Sequence, residues 1–151
     1  MSLIPALLLL LNLRPFGYRA RKQCRTREMN KTVTKYLYFN SRDELYRIDM
    51  QTIVYMEADG NYTHIILRNQ MRGTICISLM QMQEILREKM KEHAASFARI
   101  GKRHIINLQY VYHINSSKQQ LTLSDGLSFC NNISLSKDAL RNLKELFIKS
   151  F

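Results

Sequence analysis

From Lys35 onward the chain consists of short apolar segments separated by turn-forming residues, and this pattern limits the folds that it can adopt. The segments are at most six residues long and rich in β-branched and aromatic side chains, which is typical of β-strands. They cover residues 36–39, 45–48, 53–57, 62–67, 72–77, 105–106, 110–114 and 121–123. We therefore predict one compact, mainly β domain.

The clearest connection between two strands is the segment Asp59-Gly60-Asn61. Asp-Gly and Gly-Asn pairs supply the positive φ angles that a tight reversal requires, so a hairpin is predicted here. Near the end of the chain, Leu127 and Phe129 alternate and are predicted to point inward on the last strand.

Two further segments have helical periodicity, so the predicted class is mainly β with two short helices, an α+β fold. The first helix starts at Ser78, which forms a capping-box pattern with Gln81. The second starts at Ser136, with Asp138 favourably placed in its first turn. Each helix has an apolar stripe that we interpret as core: Leu79, Met82, Ile85, Leu86 and Met90 in the first, and Leu140, Leu143, Phe147 and Phe151 in the second.

Residues 1–28 differ in pattern from the rest and begin with an apolar run, Leu3 to Leu13. This run is shorter than the roughly 20 residues that span a bilayer, and its positive charges follow it, whereas a secretory signal has them in front. Three interpretations are open: a disordered or weakly membrane-associating tail, a basic arm that binds DNA, or an over-extended reading frame whose true start is Met29. We favour the third, because domain-like patterning begins shortly after Met29. The expected organisation is thus a disordered or non-native extension over 1–28 and a domain over 29–151.

The chain is strongly basic, with 23 Lys and Arg against 12 Asp and Glu and a formal net charge of +11. Such a surplus favours a polyanionic partner, nucleic acid first and an anionic membrane surface second. Signs of catalysis are absent from the sequence, since it contains no glycine-rich phosphate loop and no GxSxG elbow. The carboxylates Glu57 and Asp59 are predicted to fix the hairpin turn. We expect neither an enzyme nor a bound cofactor.

The three cysteines, Cys24, Cys76 and Cys130, are widely spaced and form no CxxC pair. We expect neither a disulfide framework nor a zinc site, and the four histidines also lack metal-ligand spacing. Cys76 and Cys130 are predicted to be small buried hydrophobic residues in strands, in a protein of the reducing cytoplasm.

Two basic clusters are candidates for nucleic-acid contact. The segment 99–104 contains Arg99, Lys102 and Arg103 with His104, and its Gly101 permits close approach of the backbone to a phosphate. In the last helix, Lys137, Arg141 and Lys144 are spaced by four and then three residues, so they share one face. The alternative interpretations are a charged loop and a solvated helix face. The hairpin tip adds polar groups that are able to read base edges: Asn61, Tyr62, Thr63 and His64.

Four segments in order resemble one family. The segment 53–62, IVYMEADGNY, looks like the opening of LytTR-type DNA-binding domains. Phe97-Ala98-Arg99-Ile100, Ile105-Ile106-Asn107-Leu108 and the strand 111–114 resemble the family's F-x-R-I and I-V-N-L signature. The serine-led helix start at Ser78 and the segment 133–137 follow the same order, and the resemblance covers residues 36–151.

The resemblance implies an elongated, mainly β domain of a bacterial transcriptional regulator, which binds double-stranded DNA through loops in successive major grooves. It also implies paired direct-repeat half-sites, bending of the DNA and possible occupancy by a second copy of the chain. Domains of this kind usually follow a receiver domain, and we expect this chain to be a stand-alone member without one. The implied base-contact residues are Asn61, Thr63 and His64 in the first loop, Lys102 and Arg103 after Gly101 in the second, and Lys137 in the third, with Arg99 and Arg141 expected to contact phosphates.

The sequence departs from the family pattern where Gly101-Lys102-Arg103 replaces His-Arg-Ser and where Lys137 replaces an arginine. Lysine lacks the fork with which arginine binds guanine, so base specificity is expected to weaken at these positions while phosphate affinity remains. Asn107 is predicted to be structural and to tie a turn through its amide.

An alternative function is a β-rich protein-interaction module that residues 1–28 tether to the membrane. RNA binding is a third possibility, which the lack of clustered aromatic residues for base stacking disfavours.

Overall fold

The computed structural model describes residues 27–28, 35–89 and 96–149. Within them lie eleven strands, two α-helices and two single 3-10 turns. The strands are β1 (Arg27–Glu28), β2 (Tyr36–Asn40), β3 (Leu45–Asp49), β4 (Ile53–Asp59), β5 (Tyr62–Leu67), β6 (Arg72–Ile75), β7 (Phe97–Ile100), β8 (His104–Asn107), β9 (Val111–Asn115), β10 (Gln120–Ser124) and β11 (Cys130–Ser134). The helices are α1 (Leu79–Lys89) and α2 (Lys137–Lys149), and the 3-10 turns are Met50–Thr52 and Leu108–Tyr110.

The strands form three antiparallel sheets. The largest has the order β6-β5-β4-β8-β7, and the two smaller sheets have the orders β1-β2-β3 and β11-β10-β9. The prediction of a mainly β fold with two helices is confirmed. Of the predicted N-terminal extension, only Arg27 and Glu28 are described, and they pair with Asn40 and Phe39 on β2. The rest of that prediction lies outside the described residues.

The five-stranded sheet is the middle layer between two hydrophobic cores. Strand β8 shows this most directly, because Ile105 packs into the core beneath β2, β3 and α1 while its neighbour Ile106 packs into the core beneath β9–β11 and α2. Successive residues of a strand point to opposite faces, so one strand contributes to both cores. Both faces of the sheet therefore pack against apolar cores, and polar turns lie at its ends.

Both predicted helix starts are confirmed. The Ser78 hydroxyl accepts a hydrogen bond from the Gln81 amide at 3.2 Å, and the Gln81 side chain accepts one from the Ser78 amide at 3.0 Å. At α2 the Ser136 hydroxyl accepts from the Ala139 amide at 3.2 Å. The stripe residues Leu79, Met82, Leu86, Leu140 and Leu143 are buried as predicted, and Ile85 and Phe147 are half-buried. Met90 and Phe151 lie outside the described residues.

The prediction for Leu127 is wrong. Its side chain is 97% exposed in a loop that precedes β11, whereas Phe129 is buried as expected. The cause is Asp125, whose carboxylate accepts hydrogen bonds from the amides of Leu127 and Ser128 and thereby turns the chain before the strand begins.

The prediction that Cys76 and Cys130 are buried is also wrong, and of the two only Cys130 lies in a strand, as predicted. Cys130 is exposed and free, because the alternation along β11 buries Ile133 and points Cys130 away from the core. Cys76 lies in a bend after β6 and is half-buried.

Candidate nucleic-acid interface

The first candidate segment is the hairpin turn between β4 and β5. Asp59 pairs directly with Tyr62, so the turn consists of Gly60 and Asn61 alone. Gly60 has φ +59°, the left-handed conformation that a two-residue turn requires and that glycine adopts without strain. Asn61 is exposed at the tip, as predicted for a residue that contacts bases.

The second candidate segment is the turn 101–103 between β7 and β8, which we call the cationic turn. Gly101 has φ +65°, and beyond its two chain neighbours no described atom lies within 4 Å of the position that a Cβ would occupy. Lys102 and Arg103 are exposed, and no described side chain pairs with the Lys102 ammonium. The glycine thus lets the chain turn sharply and presents two adjacent cations to solvent.

The two turns lie side by side at one end of the five-stranded sheet. Strands β4 and β8 are neighbours, and just past their last paired residues the Ala58 amide donates to the Arg103 carbonyl at 2.8 Å. The Arg103 guanidinium returns a hydrogen bond to the Ala58 carbonyl at 3.3 Å. The structure therefore brings two of the three predicted contact segments together and joins them through backbone and side chain.

Arg99 supports the cationic turn from behind. One terminal nitrogen of its half-buried guanidinium donates to the Lys102 carbonyl at 3.2 Å, and the other donates to the Gln83 side chain on α1 at 3.3 Å. Both contacts are within the protein. Arg99 thus holds the shape of the turn and links it to α1, a role that its sequence position did not indicate.

Two residues of the predicted first loop are not on the exposed surface. Thr63 is fully buried, and its hydroxyl donates to the Ile77 carbonyl at 2.9 Å. The His64 ring is held between the Asp59 carboxylate and the Thr74 hydroxyl, each 2.9 Å from one ring nitrogen. Thr63 and His64 therefore fix the base of the hairpin, while Asn61 stands at its tip.

A row of charged and titratable side chains crosses the sheet just behind the two turns. Glu57 on β4 pairs in register with His64 on β5 and with His104 on β8. Its carboxylate lies 3.7 Å from the Arg103 guanidinium and 3.6 Å from the His104 ring. Burial lowers the pKa of His104 below its ordinary value, which the nearby Glu57 opposes and Arg103 reinforces. His104, counted with the basic cluster in the sequence, is therefore a buried neutral group at physiological pH.

The third candidate segment, on α2, lines a groove with the β9–β10 turn. Lys137, Arg141 and Lys144 share one side of this α2 groove, as their spacing predicted, and Ser116 and Ser117 form the other side. The groove has a volume of about 430 Å³ and is completed by Glu145 and Ile148. The two serines were recognised in the sequence only as turn residues, because their proximity to α2 is a tertiary contact.

No metal site or membrane-spanning helix occurs in the described parts of the chain. Groups of three or more His, Cys, Asp or Glu side chains with metal-binding geometry are absent there. Neither described helix has the length and apolarity needed to cross a bilayer.

A β scaffold with a polar hairpin turn and the cationic turn at one end matches a class of DNA-binding domain. The family described as the LytTr DNA-binding domain matches residues 43–148, which is more than half of the chain. This chain belongs to the LytTR family, which is a family of DNA-binding domains and not of enzymes.

The comparison with solved structures shows the same fold. The structure aligns with a LytTr DNA-binding domain from Bacillus cereus with a TM-score of 0.54 and 17% sequence identity. The alignment covers 76% of this chain and 97% of that chain. A search among curated proteins found no match.

Proposed function

We propose that this chain binds double-stranded DNA sequence-specifically, as the DNA-binding domain of a bacterial transcriptional regulator of the cytoplasm. The observation that carries the proposal is the pairing of the two turns at one sheet end, with Asn61 at one tip and Lys102 and Arg103 beside it. An asparagine amide matches an adenine edge, and cations match guanine and phosphate oxygens. Both turns enter the major groove, with Lys137 as a third contact.

The fixed geometry behind the turns supports this assignment. Arg99 donates a hydrogen bond to the cationic turn. Thr63 and His64 form hydrogen bonds within the chain that fix the base of the hairpin. Contacts that are fixed before binding cost less conformational entropy when the complex forms. The domain is therefore suited to direct reading of base edges, and two copies are proposed to occupy paired direct-repeat half-sites.

The test begins with selection of duplexes by the full chain from a random pool. An enriched repeated sequence supports specific binding and gives the number of half-sites. The selected operator and a scrambled duplex are then titrated at physiological salt by fluorescence anisotropy. Equal affinity for the two duplexes would refute the specificity.

Substitution assigns the contact to the turns. Lys102→Ala is expected to cost about 1–3 kcal/mol on the operator and to relax discrimination. Arg72→Ala is the matched control, because it also removes one exposed cation but lies where β6 begins, at the opposite end of the sheet. An equal loss in both variants would show that the net charge, and not the turn, determines affinity.

A further inference from the structure

The α2 groove combines donors of two kinds on facing walls. Lys137, Arg141 and Lys144 form the helical wall, and Ser116 and Ser117 form the other. The Ser116 and Ser117 hydroxyls form no hydrogen bond with any described residue. The Lys144 ammonium likewise forms no hydrogen bond or ion pair with one. In protein–DNA complexes, phosphodiester oxygens accept hydrogen bonds from both amines and hydroxyls.

The charge within the groove is positive, because three cations face one carboxylate, Glu145. Arg141 also has Asp138 at 3.7 Å, but both side chains are largely exposed, so this ion pair is weak. Glu145 and Ile148 lie toward the C-terminal end of α2. The part of the groove that attracts an anion is therefore the stretch from Lys137 to Lys144.

The length of this stretch fits a nucleic-acid strand. Seven residues of α-helix rise by about 10 Å, which is about three times the rise of about 3.4 Å between successive phosphates of one DNA strand. Because the three cations follow the helix on one face, together they can reach several phosphates of one strand. A compact anion such as inorganic phosphate would reach only part of the set.

We propose that the α2 groove binds the sugar–phosphate backbone of one DNA strand, and that Ser116, Ser117 and Lys144 belong to the interface. The inference rests on the proposed DNA-binding function and extends it from Lys137, the third contact proposed above, to neighbouring residues that contact the backbone and read no bases. Backbone contacts fix the position of a protein on the duplex without carrying sequence information. The groove thus adds affinity for all sequences, while the two turns discriminate among them.

The test uses the full chain and compares the salt dependence of binding to the selected operator and to a scrambled duplex. Lys144→Ala is expected to lower the affinity for both duplexes by the same factor. It should also reduce the slope of log affinity against log salt concentration by about 0.9, the value for one lost phosphate contact. The double substitution Ser116→Ala with Ser117→Ala is expected to lower the affinity for both duplexes without changing the salt slope, because a hydroxyl displaces no counterion. Arg72→Ala serves as the control for loss of charge alone.

The outcomes separate this inference from the proposed function. If Lys144→Ala and the double serine variant bind like the wild type while Lys102→Ala is impaired, the groove lies outside the interface and the function stands. An acidic protein would then be the better candidate for the groove, which overturns the inference. If Lys102→Ala is also unimpaired and the wild type binds the operator and the scrambled duplex equally, the proposed function itself fails. Lys144→Arg should restore the slope, and unchanged thermal midpoints would confirm that the variants fold.

Discussion

The side-chain amide of Asn107 donates a hydrogen bond of 2.8 Å to the carbonyl oxygen of Ile53, and this bond is buried. It joins the end of β8 to the beginning of β4. The other atom of the same amide group, Oδ1, accepts from the Gln109 amide at 3.1 Å and caps the 3-10 turn that follows. The prediction that Asn107 is structural is confirmed.

Asn107→Ala should therefore destabilise the fold. It leaves the buried Ile53 carbonyl without a donor, which costs about 1–3 kcal/mol of unfolding free energy. Urea denaturation followed by circular dichroism measures this loss. Gln109→Ala is the control, because that side chain is exposed on the same turn. Comparable stability of the two variants would contradict the role assigned to the amide.

Thr63→Val should reduce stability without altering DNA affinity. The substitution removes the hydroxyl that donates to the buried Ile77 carbonyl and costs about 1–3 kcal/mol. Asn61→Ala should have the opposite effect, with affinity lowered and stability unchanged, because Asn61 is exposed at the tip. Measuring both quantities on both variants tests the division of roles. A loss of affinity in folded Thr63→Val protein would restore Thr63 as a contact residue.

Arg99→Ala should weaken binding while leaving the salt slope unchanged. The guanidinium donates to the Lys102 carbonyl and the Gln83 side chain, so its loss loosens the cationic turn. No phosphate contact is removed. Anisotropy titrations over a range of salt concentrations measure both effects. A slope reduced by about 0.9 would instead identify Arg99 as a phosphate contact.

Acidification should destabilise the domain through His104. Because burial lowers its pKa, the unfolded chain binds a proton more readily than the native state does. The unfolding free energy is therefore fully retained above the ordinary value of 6.5 and falls as the pH drops below it. His104→Gln should flatten this part of the profile, whereas the substitution His113→Gln, at an exposed site on β9, should not. Identical profiles for wild type and His104→Gln would exclude His104 as the source.

Asp125→Ala should release the loop that displays Leu127. The Ser128 hydroxyl and the amides of Leu127, Ser128 and Phe129 all donate to this carboxylate, and together they hold the pKa of Asp125 well below its usual range. Hydrogen exchange at residues 127–129 should accelerate markedly in the variant. Asp43→Ala, at a carboxylate that is largely exposed in the β2–β3 turn, is the control. Unchanged exchange rates in the Asp125 variant would show that the loop has another source of order.

Features that depend on neighbours in sequence were predicted well. The hairpin at Gly60, the capping box of Ser78 with Gln81 and the Ser136 cap follow from the conformational preferences and hydrogen-bonding capacity of residues a few positions apart. The shared face of Lys137, Arg141 and Lys144 follows from helical geometry alone.

Features that depend on tertiary contacts were not predictable in the same way. Leu127 fits a strand pattern until Asp125 captures the amides that follow it. Nothing in the segment around Arg99 indicates that Gln83 on α1 will approach it. The burial of Thr63 could have been anticipated, because it alternates with the apolar Ile65 on the buried face of β5.

The reciprocal hydrogen bonds between Ala58 and Arg103 have an evolutionary consequence. Since the hairpin turn and the cationic turn are tied together, neither can tilt without moving the other. If the turns read bases as proposed, a change of operator preference that arises in one turn should require a compensating change in the other. The recognised sequence would then change through pairs of substitutions, one in each turn. The effects of the two substitutions on binding free energy would not be additive.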